Sequence, residues 1–328
     1  MFRKSLLCAA SLLFVGCGQV EENEFRDGLP SKQMVEVKAP GTSGQSLEDG
    51  TVSALARGDT SDFYKLTRGA TVVVNGGTVA VLNLIEEITK NPPTTLAGDT
   101  AVWGPHTNAL SPNTWKLTVT QDAEHKYSYK LEGKAKTAED TAFKVILSGT
   151  HTIATDAQGN RQRNFGSGSF KLDWDAAQTL PERGSEVGTA EIRYTRPSAT
   201  VEASVEADFR NVNDNDRPGT RINADYRYKE MPNAGGEFDF RLDKNLDTDP
   251  ARPAIERLTI KSRWSQSGAG RADARVTQGD VGATPATVNE CWDANFASQY
   301  LAISFAPASG YGDVSACGTY ASAVYSAL

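Results

Sequence analysis

Three histidines, four cysteines and 41 acidic residues are the raw material for chemistry in this 328-residue chain. His106, His125 and His151 stand far apart, in loop-like or strand-end contexts that suit ordinary surface residues. Glu86 and Glu87 are adjacent on a helical stretch, so their carboxylates do not face one another. No G-x-S-x-G, H-E-x-x-H, Walker or G-x-G-x-x-G pattern occurs. The chain therefore reads as non-enzymatic and without a cofactor. One loop carries ligand-like spacing. Asp243, Asn245, Asp247 and Asp249 place oxygen donors at alternate positions, as calcium loops do. It lacks the glycine at the sixth position and an acid at the twelfth, which is Ala254. An acidic hairpin loop is the plainer reading.

Cysteine offers firmer chemistry. Residues 1–17 read MFRKSLLCAASLLFVGC. Arg3 and Lys4 form a basic start, and Ser5 to Val15 form an apolar run. That run is shorter than the roughly 20 residues a membrane-spanning helix needs. The pattern predicts a secretory signal peptide over residues 1–16. Phe14-Val15-Gly16-Cys17 resembles the bacterial lipobox, in which the cysteine is acylated; Phe14 stands where leucine is usual. The expectation is a membrane partner reached through a lipid anchor on Cys17. Gly18 follows, where aspartate would retain the protein at the inner membrane. The expected location is the cell envelope, at the outer membrane facing the periplasm or the cell surface. Cys8 leaves with the signal. Cys291 and Cys317 then remain in an oxidising compartment and are expected to pair.

Thirty-four basic against 41 acidic residues give a net charge of −7. Loss of residues 1–16 removes two bases and no acid, so the balance becomes more negative. A nucleic-acid partner is excluded on this charge, because phosphate binding needs a basic field. Residues 17–60, rich in glycine and proline and poor in aromatics, read as a lipidated flexible tether. The domain proper is expected at 61–284, with a disulfide-stapled cap at 285–328.

Period and spacing assign the elements. Val81, Leu82, Leu84, Ile85 and Ile88 share a face at helical spacing, and Pro92-Pro93 end that helix. Ala70 to Val74 is β-branched and Asn75-Gly-Gly77 suits a turn, so the stretch before it reads either as a broken helix or as two elements. From about Thr100 the period changes to two. Trp115–Val119, Tyr127–Leu131, Phe143–Leu147, Phe170–Trp174, Ala190–Tyr194, Val201–Phe209, Ile222–Tyr228, Phe238–Leu242, Leu258–Trp264 and Ala272–Val276 each alternate apolar and polar. These are about ten antiparallel strands, separated by turns such as Asp156–Asn160 and Asn233–Gly236. The fold class is mainly β: a ten-stranded antiparallel curved sheet or barrel, with an N-terminal helix on its apolar face and a C-terminal helical cap. The wet face carries charges of both signs, so the dry face points inward rather than to lipid. In the cap, Thr287-Val-Asn-Glu290 reads as a capping box, and Trp292, Phe296 and Tyr300 recur at i, i+4 and i+8.

Several stretches resemble lipoproteins of unknown function from myxobacterial-type genomes. They are Phe63-Tyr64, Val74–Gly77, Pro92–Thr94, Gly98–Pro105, Leu110–Trp115, Gly166–Phe170 and Glu290–Trp292. This resemblance implies envelope localisation and no activity. The helix followed by a large curved sheet is similar in architecture to periplasmic lipoprotein carriers and lipid-binding lipoproteins. The expected function is that of a binder or carrier of an apolar ligand such as a lipid. The ligand would sit between sheet and helix, lined by Leu84, Ile88, Trp115, Tyr127, Tyr129, Tyr226, Tyr228 and Phe240. The alternative is a structural or protein-interaction module with a packed core, its protein partner undefined. An enzyme with an unrecognised site is the third reading.

Overall fold

The computed structural model describes residues 23–41, 56–107, 109–247 and 249–322. Cys17 and the signal segment lie outside them. The alternating pattern becomes one antiparallel sheet in which each strand pairs with the next in sequence. It holds fourteen strands: β1 (Thr95–Ala97), β2 (Thr100–His106), β3 (Asn113–Ala123), β4 (Lys126–Ala135), β5 (Lys144–Thr155), β6 (Arg161–Asp173), β7 (Thr189–Arg196), β8 (Ala203–Asn213), β9 (Arg221–Met231), β10 (Gly235–Lys244), β11 (Glu256–Trp264), β12 (Gly270–Gln278), β13 (Ala286–Trp292) and β14 (Ser298–Ile303). The ten expected strands correspond to β3–β12. The sheet is not closed, since β1 and β14 do not pair.

The expected helical cap is replaced by strands. Thr287–Glu290 lies in β13, which pairs with β12 from Gly270↔Trp292 to Val276↔Ala286. Phe296 sits in the β13–β14 turn at φ 64°. The free edge of β12 offers unpaired N–H and C=O groups, and completing that ladder outweighs a weak capping signal. Short 3₁₀ turns follow at Pro307–Ser309 and Val314–Tyr320. The disulfide joins Cys291 in β13 to Cys317, with Cα atoms 5.6 Å apart.

Among the described residues, 23–27 are helical and two further helices precede the sheet. α1 is a single turn, Lys32–Val35. α2 runs unbroken over Asp62–Thr89, about 42 Å at 1.5 Å per residue. Ser61 caps it, its hydroxyl accepting from the Tyr64 amide at 3.1 Å. The β-branched run is helical because one stripe is buried: Tyr64, Thr67, Thr71, Val74, Thr78, Leu82 and Ile85. The buried threonines donate to their own helix carbonyls, at Phe63, Arg68 and Val74. Their hydroxyls are thus satisfied without water. No helix among the described residues is long and apolar enough to cross a membrane.

The sheet is wrapped around these segments. α1 touches β6 and β7, while α2 touches β12 and β13. α2 begins beside β14, where Ser61 N–H donates to Phe296 O, and ends beside β2, where Trp103 Nε1 donates to Asn91 O. The outward face is a ladder of cross-strand ion pairs. Arg193 meets Glu206 at 3.2 Å, Arg227 meets Asp208 at 2.8 Å, Arg257 meets Asp243 at 2.7 Å and Arg263 meets Asp239 at 2.9 Å.

Candidate functional site

The segment expected to be a loose tether contributes to the core. Phe25, Leu29, Met34, Val35 and Val37 are buried inside the curl of the sheet. Glu24 fixes its entrance: it accepts from Tyr127 Oη at 3.0 Å and from Arg161 at 2.6 Å. Further in, Asn75 on α2 holds the main chain of Val37 at both groups, accepting from N–H and donating to C=O at 2.9 Å each. Lys38 N–H donates to Tyr228 Oη at 3.2 Å. The few apolar residues of 23–41 give a weak composition signal. Their burial depends on an interior supplied by distant strands.

Inside the sheet lies a polar aromatic trio. His151 on β5 is 1 % exposed, not the surface residue expected. Its Nδ1 lies 2.8 Å from Tyr194 Oη on β7, and the rings stack at 5.9 Å. Burial lowers its imidazole to about 4, so the ring is neutral at pH 7. Burial also raises the Tyr129 and Tyr194 hydroxyls well above their ordinary range. Gly168, between His151 and Tyr194 in register, leaves room for both rings. A Cβ there would stand 2.2 Å from Thr150 O and 2.5 Å from Tyr194 Oη.

A buried acid sits near the other edge. Glu290 is fully buried on β13, and burial raises its pKa. Its Oε2 accepts from the Phe63 amide at 2.9 Å, in the first turn of α2. The sequence had placed Glu290 at the start of a helix of its own. It does serve a helix N-terminus, but that of α2, where the amides and dipole favour an acid.

The inner face is covered unevenly. Tyr127, Tyr129, Tyr226 and Tyr228 are each 3 % exposed or less; Tyr127 meets Phe25 edge-on and Tyr228 accepts from the Lys38 amide. Trp115, Leu84, Ile88 and Phe240 are only half-buried. Phe240 belongs to an apolar strip that continues through Leu242, Leu258, Val276, Val288 and Ile303, all half-buried. Register joins it in two runs: Leu242 pairs with Leu258 and Leu258 with Val276, while Val288 pairs with Ile303 and faces Ala274, one diagonal step from Val276. At the β14 edge lies a cleft of about 410 Å³, lined by Leu301 and Ile303 together with Thr287, Asn289 and Ala302 of the opposite face and by Pro307 and Tyr311. Leu242, Leu258 and Val276 were visible in the sequence as inward residues. Nothing local distinguished them from the covered ones, because that depends on where α2 and residues 23–41 lie.

The oxygen-rich loop does not assemble as spaced. Asp243 is engaged by Arg257, Asn245 accepts from the Asp247 amide, and Asp249 accepts from the Ala251 amide. Asp247 instead approaches Glu256 and Asp280, their carboxylate oxygens within 4.8 Å of one another. Glu256 already accepts from the amides of Leu246 and Asp280, and Arg252 pairs with Asp247 at 3.1 Å. These contacts satisfy the acids as a clip between two loops.

No family model, curated protein or solved structure matches the chain.

Proposed function

We propose that this protein is a non-enzymatic envelope lipoprotein, anchored through Cys17, that binds or carries an apolar ligand such as a lipid. The observation that carries the reading is the set of half-buried inward residues Phe240, Leu242, Leu258 and Val276, with Val288 and Ile303 beyond them beside the cleft at the β14 edge. Monomeric proteins seldom leave contiguous apolar surface open without a use. A cleft of this volume is in the range that small ligands fill. The competing reading, a structural or interaction module, is supported by residues 23–41, which occupy part of the interior that a ligand would otherwise take.

Native mass spectrometry of residues 18–328, purified without detergent and followed by solvent extraction, tests the binder. Residues 23–41 must be kept, since they belong to the core. A stoichiometric apolar adduct that is lost on Val276→Asp supports it. A clean mass, together with no uptake of a fluorescent fatty acid by the wild type, overturns it in favour of the packed module.

A further inference from the structure

The strand alternation gives the sheet two unlike ends. One end carries the seven connections that follow odd-numbered strands, and all of them are short: 98–99, 124–125, 156–160, 197–202, 232–234, 265–269 and 293–297. The other end carries the longer loops. Five exposed large apolar side chains lie at that second end, Leu110 at 99 %, Phe305 at 69 %, Ile255 at 56 %, Val145 at 42 % and Leu246 at 38 %, against Val201 at 49 % in the 197–202 connection of the first. The open strip points there too, since Leu242, Leu258 and Val276 lie near the strand termini at that end.

The chain enters at the hairpin end. Glu24 is bonded to Tyr127 at the start of β4 and to Arg161 at the start of β6, and Asp27 pairs with Arg163 at 3.4 Å. Cys17 precedes Glu24 by seven residues, which even fully extended span no more than about 25 Å. The far loops stand roughly 30 Å beyond the hairpins, given strands of about ten residues and the tilt of a curled sheet. The outer wall between the ends is a ladder of paired charges, which loses hydration if laid against a bilayer.

We infer that the protein stands on its membrane by its hairpin end, with the open apolar mouth turned away from the lipid that anchors it. This rests on the lipid-anchor reading of Cys17 and is independent of whether the mouth holds a ligand. Ligand traffic would then pass on the aqueous side, across the rim of Leu110, Leu246, Ile255 and Phe305.

The test uses the full chain extracted from membranes and reconstituted in phosphatidylcholine vesicles that carry a headgroup-linked acceptor dye. Its intact mass first reports whether Cys17 is acylated. Donor dyes are placed singly, by Ala157→Cys in the β5–β6 turn and by Ala283→Cys in the β12–β13 loop, both exposed alanines. With Cys17 acylated and Cys291–Cys317 closed, each introduced thiol is the one available for labelling. Energy transfer from position 157 should exceed that from 283 by about twofold or more, given ends roughly 30 Å apart. An acylated protein with equal or reversed transfer overturns the orientation alone. A mass without acyl chains overturns the anchor reading, and the orientation with it.

Discussion

Lowering the pH should unfasten the interior at one identifiable residue, His151. Its imidazole is 1 % exposed and rests on Tyr194, and burial lowers it from 6.5 to about 4. Between those values the unfolded chain binds a proton that the folded chain refuses. Stability from this group is therefore complete above pH 6.5 and is lost as pH falls toward 4. The gap is worth roughly 3 kcal/mol at about 1.4 kcal/mol per pH unit. The informative variant is His151→Gln, which cannot titrate and keeps an acceptor for the Tyr194 hydroxyl. Urea unfolding of both proteins, at steps from about pH 7 to about pH 4, gives two stability curves. Glu290, whose pKa is raised by burial, loses its contribution as pH rises, so it slopes the other way. It is present in both proteins and cancels on subtraction. Asp208, held at about 2 against burial by Arg227 and Arg193, comes into play only in stronger acid. The wild type should lose roughly 3 kcal/mol more than the variant across the window. A wild-type-minus-variant difference that stays constant with pH would refute the reasoning.

Three further outcomes follow from contacts in the same core. Gly168→Ala pushes a methyl against Thr150 O and Tyr194 Oη, and should cost about 1–3 kcal/mol in chemical denaturation. Asn75→Ala leaves the buried Val37 N–H and C=O without their partners. It should cost about 1–3 kcal/mol and speed hydrogen exchange at the Val37 amide before that of β9. Cys317→Ser opens a crosslink of sequence separation 26, for which chain entropy gives about 3.5 kcal/mol. Thermal unfolding of that variant should match the reduced wild type.

The sequence by itself determined what repeats locally. Alternation at period two specified most of the side chains of β3–β12 that point inward, because successive residues on a strand face opposite ways. It failed at Val145, which a register shift beside Leu131 pairs with Glu132 and leaves exposed, and at Val201, which precedes β8 and is exposed. Opposite charges on the polar positions already meant a wet outer wall, and the structure shows them paired, as in Arg227 with Asp208. Asp156–Asn160 and Asn233–Gly236 marked hairpins through their turn chemistry, and the expected pairing of Cys291 with Cys317 is the disulfide the structure holds.

Tertiary structure decided wherever a local signal was weak or double-valued. Thr287 to Tyr300 reads as a helix at one period, but becomes β13 and β14 because β12 needs a partner for its edge. Its Phe296 then stacks on Tyr64 of α2, ring centroids 4.1 Å apart. Ala70 to Val74 favours a strand by propensity and is helical because Thr71 and Val74 fall on the stripe that the sheet buries. His151, Glu290 and residues 23–41 look polar or sparse along the chain, and became interior only because β4 to β13 closed around them. The split between sealed tyrosines and the open Phe240–Ile303 strip has the same origin. Which part of an apolar face stays uncovered is set by where the covering segments run, and one strand's pattern carries no record of that.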